Sequence, residues 1–428
     1  MRPLRVRFAC RACRAPCGAA GRGLRLDGNA YAEAAMAGEA EMRTKAPSGG
    51  LAPWLPALLA VIVGIGFARF AYTPLLPLLV ERGWVSAAEG AFAGAANLAG
   101  YLVGALAAQA LAGRPERGAI LNASLVLAIV SLGACAAPLG ATWLSGFRFL
   151  AGVAGGLIMV LGPSAILART PPEAKSRVSG YVFAGVGIGV MLSGALLPAL
   201  ATLGLVTTWL ALAAMALVLT AIAWRRWPEG AGAAAAGEMP KRAPLAIALL
   251  VLAYASDGAG FVPHTLFLSD FVARGLGRGE AAGGLAWTAF GIGAVVGAPL
   301  CGLVASRIGA GPALVGALFL KAAAVALPLV STSAVALGAS AILVGALTPG
   351  MVALAAALTA TLASGPAQAR LFGTMTIAFA VAQAAGAYAL SALFAASGSH
   401  LPLFATGAAV LAAGGLAAVG AVRMVGRG

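Results

Sequence analysis

Residues Asn97–Arg114 read NLAGYLVGALAAQALAGR, and residues Phe290–Arg307 read FGIGAVVGAPLCGLVASR. Each is an apolar run that meets no charge until its terminal arginine and is long enough to cross a bilayer, which takes roughly 18 residues or more. Laid over one another, they match Gly100 to Gly293, Gly104 to Gly297 and Arg114 to Arg307. The same offset carries Arg177 and Gly180 onto Arg370 and Gly373, and one residue more carries Gly156 onto Gly350. Self-similarity at a fixed offset points to duplication of a helical membrane unit.

Outward from this pair, apolar runs follow one another along the chain. They are Leu55–Val80, Ala88–Leu111, Ala119–Leu139, Thr142–Ala168, Val178–Ala201 and Leu205–Trp224. A polar stretch, RRWPEGAGAAAAGEMPKRAP, intervenes, and then come Leu245–Phe271, Gly284–Ala305, Pro312–Val330, Ala334–Leu362, Leu371–Ala396 and Leu401–Val422. The expected fold is an all-α membrane protein of twelve transmembrane helices in two pseudo-symmetric six-helix bundles. Its expected parts are a basic N-terminal tail (1–50), an N-terminal bundle (51–228), a linker (229–243) and a C-terminal bundle (244–428).

Composition agrees: 61% of the 428 residues are hydrophobic and 10% charged, with a mean hydropathy of +0.96, against about 25% charged in soluble domains. Lipid is therefore the solvent. The net charge of +15 raises the question of nucleic acid. Beyond the tail, however, the basic residues sit in short connectors, with no basic stripe interleaved with aromatics, so nucleic acid is not an expected partner. Twelve crossings place Arg114, Arg117, Arg169, Lys175, Arg177, Arg225, Arg226, Lys241, Arg242, Arg307, Arg370, Arg423 and Arg427 on one side and only Arg82, Arg274 and Arg278 on the other. By the positive-inside rule both termini and the linker are cytoplasmic.

The tail lacks the apolar core of a secretion signal, and Met36 or Met42 is the natural initiator if the preceding residues are upstream coding sequence. Cys10, Cys13 and Cys17 have no fourth ligand nearby and arginine neighbours, so no metal is expected, and no cofactor. No HExxH, paired-carboxylate or Cys/His constellation suggests an enzyme, and no GxxxxGK[ST] loop suggests an ATP-driven pump. A receptor that keeps such a fold without moving solute is the alternative to transport; the chain offers no large soluble output domain for it.

With these residues in view, the chain resembles the major facilitator superfamily. GIGFARFAYTPLLPLL, from Gly64, is similar to the first-helix signature of its YbfB/YjiJ-type bacterial branch. GLVASRIGAG, from Gly302, keeps the glycines and Arg307 of the superfamily's loop motif, with Ser306 in place of its aspartate. In the matching first-half loop Gly113 takes that place beside Arg114 and Arg117. RFLAGVAGG, from Arg148, resembles the fourth-helix motif, which implies a role for Arg148 in proton coupling. GVGIGVMLSG, from Gly185, resembles the motif of drug and proton antiporters, with Val190 where that motif has proline, so direction stays open. The resemblance implies a monomeric secondary transporter of a small solute, working by alternating access and coupled to protons.

A charge at bilayer depth costs about 2.5–3.5 kcal/mol on insertion scales, so each needs a partner, a wet cavity or a task. Arg69 and Asp257 lie near the middle of the first and seventh runs. The resemblance makes those helices repeat equivalents lining a central cavity. Arg69 is therefore expected to bind an anionic or zwitterionic solute or to pair with Asp257, whose proton occupancy would couple transport; a static ion pair is the competing reading. His264, two helical turns after Asp257, suits either a proton relay or an ordinary hydrogen bond. Tyr72, Thr73, Asn97, Tyr101 and Gln383 supply neutral polar groups that either border the cavity or serve equally well as hydrogen bonds between helices. Arg148, early in its helix, is placed to snorkel. Lys321 falls on a helix that the resemblance makes peripheral, and Asp270 and Glu280 read as solvated loop charges.

Overall fold

The computed structural model describes residues 52–111, 114–228, 244–363 and 365–425. The cysteine cluster, Met36, Met42, Gly113, the linker with Lys241 and Arg242, and Arg427 lie outside them. Among the described residues there are 12 helices long and apolar enough to cross a membrane, and no strand.

These are α1 (Leu55–Glu81), α2 (Ala87–Leu111), α3 (Arg117–Ala134), α4 (Ala141–Leu167), α5 (Pro172–Ala201) and α6 (Leu205–Ala223), followed by α7 (Pro244–Gly275), α8 (Gly279–Ile308), α9 (Ala310–Val330), α10 (Ala334–Leu362), α11 (Gly365–Ser397) and α12 (Leu401–Val425). Apart from the α6–α7 connection, most of which lies outside the described residues, connections are short. Gly309, at φ +88°, alone separates α8 from α9 in a backbone region that side chains disfavour. The third helix stops at Ala134, short of the apolar run's end at Leu139, because Pro138 has no amide to donate and the chain turns at Ala134–Ala137.

The duplication read from sequence recurs in the packing. A Cβ added at Gly100 would collide with Phe149 O, and one at Gly293 with Ile342 O. Gly104 likewise meets Val153 O as Gly297 meets Ala346 O, and Gly152 meets Asn97 O as Gly345 meets Phe290 O. Each contact in α2–α4 maps onto its counterpart in α8–α10 by the offset of the sequence repeat. Lipid offers no hydrophobic drive for helix association, so close backbone approach at small residues carries it.

Across the halves, α5 meets α8: Gly187 packs on Gly291 and Val295, and Gly194 on Gly284 and Thr288. Trp287 Nε1 donates to Ser193 Oγ there at 3.2 Å. These contacts sit toward the end that carries the α5–α6 and α7–α8 connections, here called the far end; the opposite end is the linker end. Leu59–Leu79 of α1 and Gly260–Ala273 of α7 are buried throughout. Toward the linker end α5 and α11 are more open. Gly180 of α5 and its repeat mate Gly373 of α11 have open space where a Cβ would be, and Arg177–Tyr181 and Thr376–Phe379 are at least partly exposed around a whole turn. The halves are thus in contact toward the far end, and these turns of α5 and α11 are open at the linker end.

Candidate functional site

The first helix is irregular where it matters. Ile62–Phe70 is wound as a π-helix, with Ala71 N–H donating five residues back to Gly66 O at 2.9 Å, and Pro74 just beyond has no N–H to give. Carbonyls around residues 68–70 lose their ordinary partners, and such breaks are tolerated only where something else satisfies them. Arg148 of α4 does so: Nη1 donates to Ala68 O at 2.7 Å and Nη2 to Arg69 O at 2.9 Å. Asn97 of α2 joins them, donating to Arg148 O at 2.7 Å and Ala68 O at 3.3 Å. The Arg148 guanidinium lies 4.5 Å over the Tyr72 ring, whose hydroxyl donates to Gly90 O at 2.8 Å. Arg148 therefore does not snorkel. It is 1% exposed and points inward, because the freed carbonyls of α1 outbid the interface for it.

Arg69 leaves this knot toward the opposite half. Its Nη2 donates to Gln383 Oε1 of α11 at 2.7 Å, joining the two halves, and its guanidinium carbon lies 4.4 Å from the Tyr101 ring centre and 4.8 Å from that of Phe70. Thr73 Oγ1 donates to Thr265 O of α7, a second polar link between halves. Arg69 Nε and Gln383 Nε2 are buried without a hydrogen-bond partner, and no carboxylate among the described residues pairs with Arg69. Arg69, Tyr72, Thr73 and Arg148 share the wall of a small cavity of about 20 Å³, room for roughly one water. Of the expected site, Arg69, Tyr72, Thr73, Asn97, Tyr101, Arg148 and Gln383 come together.

Asp257 and His264 do not join them. Asp257 turns into the C-terminal half, where Lys321 Nζ of α9 donates to its Oδ1 at 2.7 Å, with Lys321 also 4.4 Å over the Phe261 ring. The expected Arg69–Asp257 pair is thus replaced by two separate arrangements. Lys321, without a role in the sequence, is the missing partner. An ion inside a bundle must find its counter-ion there, and Lys321 of α9 supplies it. His264 Nε2 lies 2.7 Å from Ser340 Oγ, which donates to Ala324 O at 2.6 Å. That is a hydrogen bond within the half, with no link to the cavity.

Asp270 corrects another expectation. Rather than a solvated loop charge it is fully buried, gripped by Arg274 through Nε–Oδ1 (2.5 Å) and Nη2–Oδ2 (2.6 Å), with His400 Nε2 at 2.7 Å from Oδ2. The Asp270–Arg274 spacing of one helical turn was a signal available in the sequence; His400, on a loop far along the chain, left none. At the linker end Arg114 and Arg307 are exposed, whereas Arg117 is buried. Ser306, where the loop motif has aspartate, only donates back to Leu303 O at 2.8 Å.

Twelve apolar crossings and a repeated half define a multi-pass membrane protein, and the family match makes it one of the transporter class. Residues 61–419 match the family described as the uncharacterised MFS-type transporter YbfB, and the chain belongs to that major facilitator family. No curated protein matches the chain.

Proposed function

We propose that the protein is a secondary active transporter that carries a small organic anion or zwitterion across a bacterial cytoplasmic membrane by alternating access, with Arg69 as the cation that binds the solute. The observation that carries this is the state of Arg69: buried at mid-membrane, without a carboxylate, and held by a neutral amide from the opposite half. A guanidinium kept in that state is costly unless an anion completes it. Two unpartnered donors, Arg69 Nε and Gln383 Nε2, flank the bond that a carboxylate or phosphate would replace.

In this reading the linker end is cytoplasmic, as the basic connectors favour, and a crevice between the halves faces inward. A solute anion reaching Arg69 displaces Gln383 and loosens one of the polar links between halves. Rocking then closes the linker end and releases the Thr73–Thr265 and Ser193–Trp287 contacts at the far end. Proton coupling is assigned to Asp257, the one carboxylate near mid-membrane among the described residues. Protonation would break its pair with Lys321 and free α7 from α9. The test is flux in proteoliposomes with an imposed pH gradient: solute accumulation that collapses when the gradient is removed supports coupling, and accumulation indifferent to the gradient refutes it.

A further inference from the structure

At the far end a cavity of about 650 Å³ opens beside the Asp270 cluster. Its walls come from both halves: Ser86 and the start of α2, Phe271 and Arg274 at the end of α7, Thr332 between α9 and α10, and Phe394 and His400 around the α11–α12 connection. The charges in this wall are sorted by depth. The Asp270 side chain is 0% exposed and both its oxygens are occupied from the front, whereas Arg274 is 22% and His400 9% exposed. The cavity therefore meets cationic and donor edges, with the balancing carboxylate behind them. The His400 ring is fixed among Phe271 (5.5 Å) and Phe394 (4.8 Å), which also face the cavity and make part of its lining apolar. Glu89, next along α2 from the lining Ala88, accepts from Ser86 N–H at 2.8 Å and is not part of the lining.

We propose that this vestibule is a second solute-binding site, for a small organic anion with an apolar body, and that the Arg274 guanidinium forms its cationic edge, with the His400 ring beside it. Its ligand has the same sign as the solute assigned to Arg69, but the two cavities share no lining residue. The Arg274–Asp270 pair is neutral overall, but its guanidinium lies on the cavity side and its carboxylate behind, so the cavity meets the positive end of the pair.

Thr332 is exposed in the lining and serves as the reporter. Thr332→Cys is introduced into full-length protein in lipid nanodiscs with Cys10, Cys13 and Cys17 replaced by serine; Cys135 and Cys301 are buried. Labelling rates are measured with an anionic and a cationic methanethiosulfonate, and their ratio is normalised to that for a free thiol. The expected ratio is about threefold or more in favour of the anionic reagent, because the guanidinium end of the Arg274–Asp270 pair lines the same cavity as Thr332. Benzoate should slow the anionic reagent saturably. Arg274→Gln should bring the ratio to one or below, Arg274→Lys should keep it, and Arg69→Ala should leave it unchanged. A normalised ratio of one or less in the Thr332→Cys parent, or no protection by benzoate, overturns the proposal even where Arg274→Gln fails to fold. A transport defect in Arg69→Ala with a normal vestibule ratio separates this site from the central one.

Discussion

Lys321 Nζ of α9 lies 2.7 Å from Asp257 Oδ1 of α7, with the two side chains 0% and 1% exposed. Removing one member of such a pair leaves an uncompensated buried charge, at about 3–5 kcal/mol, whereas replacing both with apolar groups of similar volume is often neutral. Asp257→Leu or Lys321→Met alone should therefore lower the thermal midpoint sharply, and the double variant should recover most of it. If Asp257 is also the coupling group, the double variant keeps solute exchange in counterflow but loses accumulation driven by a pH gradient. Retained gradient-driven accumulation would move coupling elsewhere.

The glycine contacts of α2–α4 and α8–α10 are equivalent, so their substitution should be too. Gly104→Val forces a side chain onto Val153 O, and Gly297→Val onto Ala346 O. Overpacking of this kind costs about 1–3 kcal/mol or more. Comparable losses of thermal stability are expected from both; a benign effect in one half alone would contradict the repeat as described.

Arg148 holds two carbonyls of the unwound first helix, and hydrogen bonds to charged groups contribute about 1.5–3 kcal/mol each. Arg148→Lys cannot span both carbonyls and should destabilise by about 2–4 kcal/mol, read as a drop in melting temperature. Solute affinity per folded molecule should fall less than in Arg69 variants. An unchanged melting temperature would show that the carbonyls of α1 are satisfied without it.

Phe92 of α2 and Tyr388 of α11 belong to opposite halves and lie 6.3 Å apart between ring centres, toward the far end. Cysteines at both positions, bridged by a short bis-methanethiosulfonate through two reducible disulfides, should trap the shut far end. Transport should stop and return on reduction, while solute binding from the linker side persists. Transport that continues through the cross-link would exclude rocking at this contact.

Much of this arrangement was legible as pattern. The twelve crossings follow from apolar run length alone, and Gly100, Gly104 and Arg114 announced a duplicated half through their mates Gly293, Gly297 and Arg307. The Arg69 site was legible in part, because a charge at mid-run must be accounted for and Gln383 stood out as a polar residue in an apolar run. Partner choice was not. Whether Asp257 faces Arg69 or Lys321 depends on the rotation of α7 about its axis, which is set by packing at Gly258 and Gly260 against α11 and α12 and by the irregular winding from Pro263 onward. The burial of Asp270 depended on His400, 130 positions away. Pairing of that kind leaves no periodicity in a single chain.

The central claim is that Arg69 awaits an anion, and ligand-induced thermal stabilisation of wild-type protein beside Arg69→Ala tests it most directly. Small carboxylates, phosphates and sulfonates are compared with neutral analogues of the same shape. The account predicts that stabilising compounds carry an anionic group and bind at least about tenfold more weakly to Arg69→Ala, the roughly 1.4 kcal/mol lower bound for losing a charged hydrogen bond. Equal stabilisation of wild type and Arg69→Ala by the same anions, or stabilisation by neutral analogues alone, would contradict it.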